Sequence, residues 1–300
     1  MGSRVTRRRF FQVAGAAAGT VALGQMFSGR MLDVARAQAQ VHSDDAILRK
    51  VIEEIQPAAM HVSMGEIVAL VGRQFVGSTY AAHTLEADGE EHLVVNLRSF
   101  DCVTFIESTL ALARTLRLPG PPEEVFRSEL QRIRYRGGTI NGYTSRLHYF
   151  SDWLSDNEKK GIVRDMTRML DGVRDKRGIH YMSSHRSSYR QLALDRAAEA
   201  VAATEKRLSV MPRFLVPAAK ISSIVSRLEN GDLIGVATAI DGLDVSHTGM
   251  VVVDGSVTRF LHASESTGVV ELTQGSLVGY LDEHARATGI IVARPLETGV

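Results

Sequence analysis

Asn96-Leu97-Arg98-Ser99-Phe100-Asp101-Cys102-Val103-Thr104-Phe105-Ile106-Glu107 passes from turn-forming polar residues into an apolar helical pattern, and the crossing point is a cysteine. Val103, Ile106, Leu110 and Ala113 recur at spacings of 3, 4 and 3, while Phe105, Leu112 and Leu116 cover a second flank. A helix with two apolar flanks is buried on most sides. Ser99 and Asp101 are both good N-cap residues, which puts Cys102 in the first turn. There the unpaired backbone N–H groups and the positive end of the helix dipole favour thiolate over thiol. Cys102 is the only cysteine of 300 residues, so it forms no internal disulfide and joins no cysteine-based zinc cage. A lone cysteine is ordinarily a small core hydrophobe, but its place at a helix start after Phe-Asp points to a nucleophile.

A nucleophilic thiol needs a base, and the C-terminal part of the chain offers one. Asn230-Gly231-Asp232 reads as a turn, and Leu233 to Ile240 as a buried strand bounded by Asp241-Gly242. Val245 to Val253 is a second strand carrying His247. Asp254-Gly255 is a strong hairpin signal, and Ser256 to Ala263 is a third strand carrying His262. A two-residue loop at Asp254-Gly255 pairs Val253 with Ser256. It would set His247 directly opposite His262 on one face, with Cβ atoms about 5 Å apart. Of the ten histidines, only these two are paired by predictable geometry. A thiol, an imidazole that takes its proton and a third group that holds the imidazole form a working nucleophile. Cys102, His247 and His262 fit those roles. A zinc site competes for the same residues, but it needs a further ligand, and the sequence has no His-Glu-x-x-His motif or second cysteine.

Composition bounds the rest. With 44% apolar and 23% charged residues, the chain is an ordinary globular protein of one large or two small domains. The segment 1–39 reads as a removable address. Thr6-Arg7-Arg8-Arg9-Phe10-Phe11-Gln12 resembles the twin-arginine export signal, and the glycine-diluted apolar run Val13 to Phe27 is too short to span a bilayer. Cleavage after Ala39 is expected, with the mature protein periplasmic or secreted and without an integral membrane segment. Six of the 35 basic residues and one of the 34 acidic ones lie in 1–39. The remainder holds 29 basic against 33 acidic, a net of −4, which disfavours a nucleic-acid partner.

Residues 40–300 are expected to form a single domain. Asp44 to Val71 reads as helix interrupted at Pro57, and Gly72 to His83 as a glycine-punctuated loop carrying Tyr80. Leu93 to Leu97 is a strand or an extended approach to the cysteine helix. Leu118-Pro119-Gly120-Pro121-Pro122 breaks the chain, and another helix starts at Glu123. Arg146-Leu147-His148-Tyr149-Phe150-Ser151-Asp152-Trp153 mixes aromatic and charged residues, which suits either a binding wall or a buried helix face. Residues 154–210 are polar and helical in pattern.

Phe100-Asp101-Cys102 opening a helix, Gly231-Asp232-Leu233 opening a strand, Ser246-His247-Thr248-Gly249 and Leu261-His262-Ala263-Ser264 follow, in order, the NlpC-type papain-like cell-wall hydrolases. Asn96 through Ala113, Ile133-Arg134-Tyr135-Arg136, Gly142 through Trp153 and Leu243 through Gly249 resemble more closely the N-acetylmuramoyl-L-alanine amidase-like branch. The resemblance spans residues 44–296. It implies an α+β, papain-like fold with the nucleophile helix packed on an antiparallel sheet, and a mostly helical branch-specific insertion at about 118–220. It also implies Cys102 as nucleophile, His247 as base and then acid, and His262 as the orienting residue. Tyr80, in Gly77-Ser78-Thr79-Tyr80, matches the tyrosine beside the reacting carbonyl. No cofactor or metal is implied. Val103-Thr104 stands where ordinary members have Ser-Gly after Asp-Cys, so their bond specificity does not carry over.

The function expected is hydrolysis of an amide bond in peptidoglycan fragments, between the lactyl group of N-acetylmuramic acid and L-alanine. Arg146 would grip a stem carboxylate, and Asp152 would accept a sugar hydroxyl or an amine. The alternatives are a γ-D-glutamyl-diaminopimelate endopeptidase and a non-catalytic wall-binding module; the second sits badly with Cys102 and His247 both being present.

Overall fold

The computed structural model describes residues 43–86 and 89–299. The arginine-rich segment and its cleavage site at 1–39 lie outside the described residues. A first helix covers residues 43–59 (α1) and a second Met64–Gln74 (α2), whose N-cap Ser63 accepts from Glu66 N. The break between them falls at residues 60–63, not at Pro57, which stays in the last turn of α1.

Cys102–Thr115 (α3) is buried from Thr104 to its end. Asp101 caps it: one carboxylate oxygen accepts from Val103 N at 3.0 Å and Thr104 N at 2.7 Å, while the Thr104 hydroxyl accepts from Asp101 N at 2.9 Å. That reciprocal box satisfies the orphan donors of the first turn and fixes where the helix starts. Phe105, Leu110 and Leu112 are fully buried, and burial of each such side chain contributes about 2 kcal/mol. A helix this deep must pair its polar side chains internally. Glu107 accepts from Arg134 Nε at 2.6 Å, and Arg114 pairs with Glu129, both partners lying on Pro122–Arg134 (α4). Arg134 also donates to Val94 O at 2.6 Å. Leu93 to Leu97 is therefore an extended approach braced by α4, with no strand assigned to it.

The helix packs on a ten-stranded sheet. Its strands are Thr79–Tyr80 (β1), Ser99–Phe100 (β2), Val163–Asp165 (β3), Val173–Asp175 (β4), Arg213–Pro217 (β5), Leu233–Thr238 (β6), Val245–Asp254 (β7), Val257–Ser264 (β8), Val269–Leu272 (β9) and Ala287–Pro295 (β10). The order is β2-β1-β9-β8-β7-β6-β10-β5-β4, with β3 also on β10. Only β1 and β2 run parallel; the other pairings are antiparallel. The architecture is α+β. The segment 118–220 supplies helices, among them α4, Phe150–Lys159 (α5), Tyr181–Ser184 (α6) and Asp195–Val210 (α7). It also supplies β3, β4 and β5, which the polar pattern concealed. Val163-Arg164-Asp165 and Val173-Arg174-Asp175 are too short and too charged to show a period of two.

The hairpin differs from the expected register. Asp254 pairs with Val257 and Val253 with Thr258, so the loop is Gly255-Ser256 and not Asp254-Gly255. Gly255 takes φ +60° while Ser256 is not among the residues of positive φ, the pattern of a type II′ turn with Gly at its first position. The register moves by two residues, and because side chains alternate with a period of two, the histidines keep a common face. His247 and His262 are diagonal neighbours, not directly opposed. Among the described residues, no helix is long and apolar enough to cross a membrane.

Candidate active site

Each residue of Ser246-His247-Thr248-Gly249 has a separate task. On β7, Val245 pairs with Ala237 and His247 with Val236, so Ser246 is the extra residue of a β-bulge. A bulge re-aims the side chain next to it; here that side chain is His247. The Thr248 hydroxyl donates to Cys102 O at 2.7 Å and ties the strand to the start of α3. A Cβ on Gly249 would lie 2.6 Å from Phe260 Cζ. Phe260 needs that space because it stacks against the His262 ring at 4.9 Å.

Cys102 and His247 line one small cavity of about 70 Å³, walled by Val103, Ile106, Leu147, His148, Phe150 and Trp153. His247 Nε2 lies 2.8 Å from His262 Nδ1, with the two rings perpendicular. With Nε2 occupied, Nδ1 is the His247 nitrogen left for a thiol. On the far side, both histidines line a larger cleft of about 770 Å³ with Glu265, Glu271, Tyr280 and Glu283. Tyr80 pairs in the parallel β1–β2 bridge with Phe100, two residues before Cys102.

Electrostatics modify one expectation. The Cys102 thiol is pushed up to about 11, first by burial and then by the Asp101 carboxylate; hydrogen bonding with Thr248 only partly offsets this. Burial, with the negative charge of the capping carboxylate added beside the sulfur, overrides the dipole that would favour thiolate. Burial lowers His247 to about 4, helped by His284, and lowers His262 to about 3, helped by His247 and then His284. The resting trio is a neutral thiol with two neutral imidazoles. Tyr80 is pushed up to about 12 by burial and then by Cys102, so its phenol keeps its proton.

Two residues expected to bind substrate are engaged elsewhere. Arg146 is 7% exposed; its guanidinium donates to both Glu91 oxygens at 2.9 and 2.8 Å, to Glu86 at 2.9 Å and to Leu85 O. Asp152 is 2% exposed and accepts from Arg136 at 2.9 and 2.7 Å and from Arg207 at 2.6 Å. Both are cross-braces, their charges paired within the fold. The stretch containing them does reach the site, through Leu147, His148, Phe150 and the stacked Trp153, centroids 5.5 Å apart. His148 Nε2 lies 3.0 Å from Tyr143 O, a pairing that requires the ring to donate. Phe150 and Trp153 sit i, i+3 on α5 with Leu147 one turn before, a helical spacing the sequence displayed. Tyr280 and Glu271 gave no such signal, since each reaches the histidines only through a distant helix or strand register. Among the described residues, no group of three His, Cys, Asp or Glu side chains is placed to hold a metal ion.

The family model for N-acetylmuramoyl-L-alanine amidase-like proteins matches residues 70–290. No curated protein sequence matches the chain. Among solved structures, an N-acetylmuramoyl-L-alanine amidase from Bacteroides uniformis is 35% identical, covering 78% of this chain and 99% of that one, with a TM-score of 0.74. A Bacteroides fragilis protein provisionally described as a xylanase is 37% identical over 75% of this chain and 99% of that one, TM-score 0.70. A Legionella pneumophila protein, 21% identical over 86% of this chain and 96% of its own, shares the fold with a TM-score of 0.66. With its family match spanning most of the sequence, the chain belongs to the N-acetylmuramoyl-L-alanine amidase-like family.

Proposed function

We propose that this protein is a cysteine amidohydrolase of NlpC type that cuts muropeptides between the lactyl group of N-acetylmuramic acid and L-alanine. The observation that carries the chemistry is the shared cavity of Cys102 and His247, with His247 Nε2 held 2.8 Å from His262 Nδ1. A neutral thiol is a poor nucleophile, so its proton passes to His247 Nδ1 as Sγ attacks the carbonyl carbon. The imidazolium, held by His262, then protonates the departing alanine nitrogen and leaves a thioester on Cys102. Water, deprotonated by the same imidazole, releases the lactyl carboxylate and restores the thiol. Tyr80, protonated and near the sulfur, donates toward the carbonyl oxygen as charge develops there. The apolar wall of Leu147, Phe150 and Trp153 covers one side of the scissile bond.

The choice of bond is supported by the family and by the name of the Bacteroides uniformis relative. Export by the twin-arginine route belongs to the same proposal, since peptidoglycan lies outside the cytoplasm; its support is the sequence Thr6 to Gln12. Two incubations test the bond. A muramyl tetrapeptide should yield free tetrapeptide beginning with L-alanine and a sugar carrying lactic acid, while a sugar-free tetrapeptide should remain intact. Cleavage of the free peptide into L-Ala-D-Glu and a diaminopimelate fragment would instead make the protein an endopeptidase.

A further inference from the structure

The proposed chemistry fixes more protons than those of Cys102 and His247. If His247 Nδ1 is to accept the thiol proton, its own hydrogen sits on Nε2 and is donated to His262 Nδ1. His262 must then carry its hydrogen on Nε2. The His262 ring is 3% exposed, held by Phe260 stacked at 4.9 Å and Tyr280 at 5.0 Å, and its Nε2 is buried with no hydrogen-bond partner among the described residues. A buried N–H is seldom left in that condition. The acid nearest to it is Glu271, whose Oε1 lies 3.7 Å from His262 Nε2. The β8–β9 register sets His262 directly opposite Glu271, so both side chains project from the same face of the sheet. Glu271 is 33% exposed at the rim of the larger cleft, free enough to close the remaining gap of under about 1 Å to a normal hydrogen bond.

We propose that Glu271 is a positioning residue that accepts a hydrogen bond from His262 Nε2–H and so sets the tautomers of both imidazoles. The inference rests on the Cys102–His247–His262 reading. The chain of donors then runs in one direction, from the Cys102 thiol to His247, from His247 to His262, and from His262 to Glu271. Without the acceptor at its end, His262 can place its hydrogen on Nδ1, where it faces the His247 Nε2 hydrogen and forces that ring into the tautomer that cannot take the thiol proton. Glu271 touches neither substrate nor sulfur; it acts through His262.

Inactivation by iodoacetamide near neutral pH reads thiol activation without assuming a substrate, and it is measured alongside kcat and KM on a muramyl tetrapeptide. Glu271→Leu keeps the side-chain size and removes the acceptor; Glu271→Gln keeps an acceptor oxygen. The Leu variant should alkylate about tenfold more slowly and lose a similar factor in kcat, with KM unchanged, while Gln stays within about threefold of wild type. A Leu variant alkylated at the wild-type rate, or a Gln variant as slow as Leu, overturns the proposal. His247→Ala is the control. If it alkylates as fast as wild type, the thiol–imidazole reading itself fails; if it slows while Glu271→Leu does not, only the role of Glu271 is lost.

Discussion

Cys102→Ser is expected to leave the fold intact and to abolish muropeptide hydrolysis, lowering kcat by about 10³-fold or more. The exchange is nearly isosteric, and Cys102 sits at the first position of α3, where Asp101 and Thr104 supply the cap and the side chain at 102 supplies none of it. Thermal melting should therefore change little. The chemistry has no such tolerance. The thiol, already pushed up to about 11 by burial and by Asp101, is still far more acidic than a serine hydroxyl in the same place. A neutral imidazole lowered to about 4 can draw a proton from a thiol during attack, but it is far too weak a base to generate an alkoxide. Activity within tenfold of wild type, by mass detection of the released peptide, would remove Cys102 from the nucleophile's role.

The histidines should separate by role. His247→Ala removes the imidazole that shares the Cys102 cavity and is held by His262, and the loss should approach that of the Ser variant. His262→Ala leaves the base present but free to rotate and to adopt either tautomer, so a loss of about 10²-fold is expected. His262→Gln or His262→Asn should recover most of that, because an amide oxygen can still accept from His247 Nε2–H. Steady-state kinetics on the four variants, with melting curves to confirm folding, give the comparison. Equal and undetectable activity for all three His262 variants would assign that residue a structural duty, as a partner of Phe260 and Tyr280.

What the sequence disclosed, and what it withheld, follows from the range over which each signal acts. The helix at Cys102 is legible because its cap and apolar spacing are local. Asp254-Gly255 marks the hairpin correctly but misplaces its loop by one residue at each end, since only Gly255 takes a positive φ. The shift by two kept both histidines on one face, which a shift by one would not have done. Arg146 and Asp152 misled because a charged residue in an aromatic stretch looks the same whether it faces a cleft or a partner 55 residues away, as Glu91 and Arg207 are. The thiol expectation failed because burial outweighs the helix dipole, and because Asp101 was read as a cap without its charge being counted against the neighbouring sulfur. Residues 1–39 carry a motif but lie outside the described residues, and the export reading stays with the proposal.

The central claim joins one residue to one bond, and a single measurement addresses both. Wild-type protein mixed with a muramyl tetrapeptide, quenched in acid within the first turnover and weighed intact, should show a mass increase equal to the N-acetylmuramoyl group. Peptide mapping should place that group on Cys102 as a thioester, and the Cys102→Ser protein should show no adduct. An adduct heavier than this by L-Ala-D-Glu, the sugar still attached, would contradict the bond. Hydrolysis proceeding with no adduct on Cys102, at a rate the Ser variant shares, would contradict the mechanism.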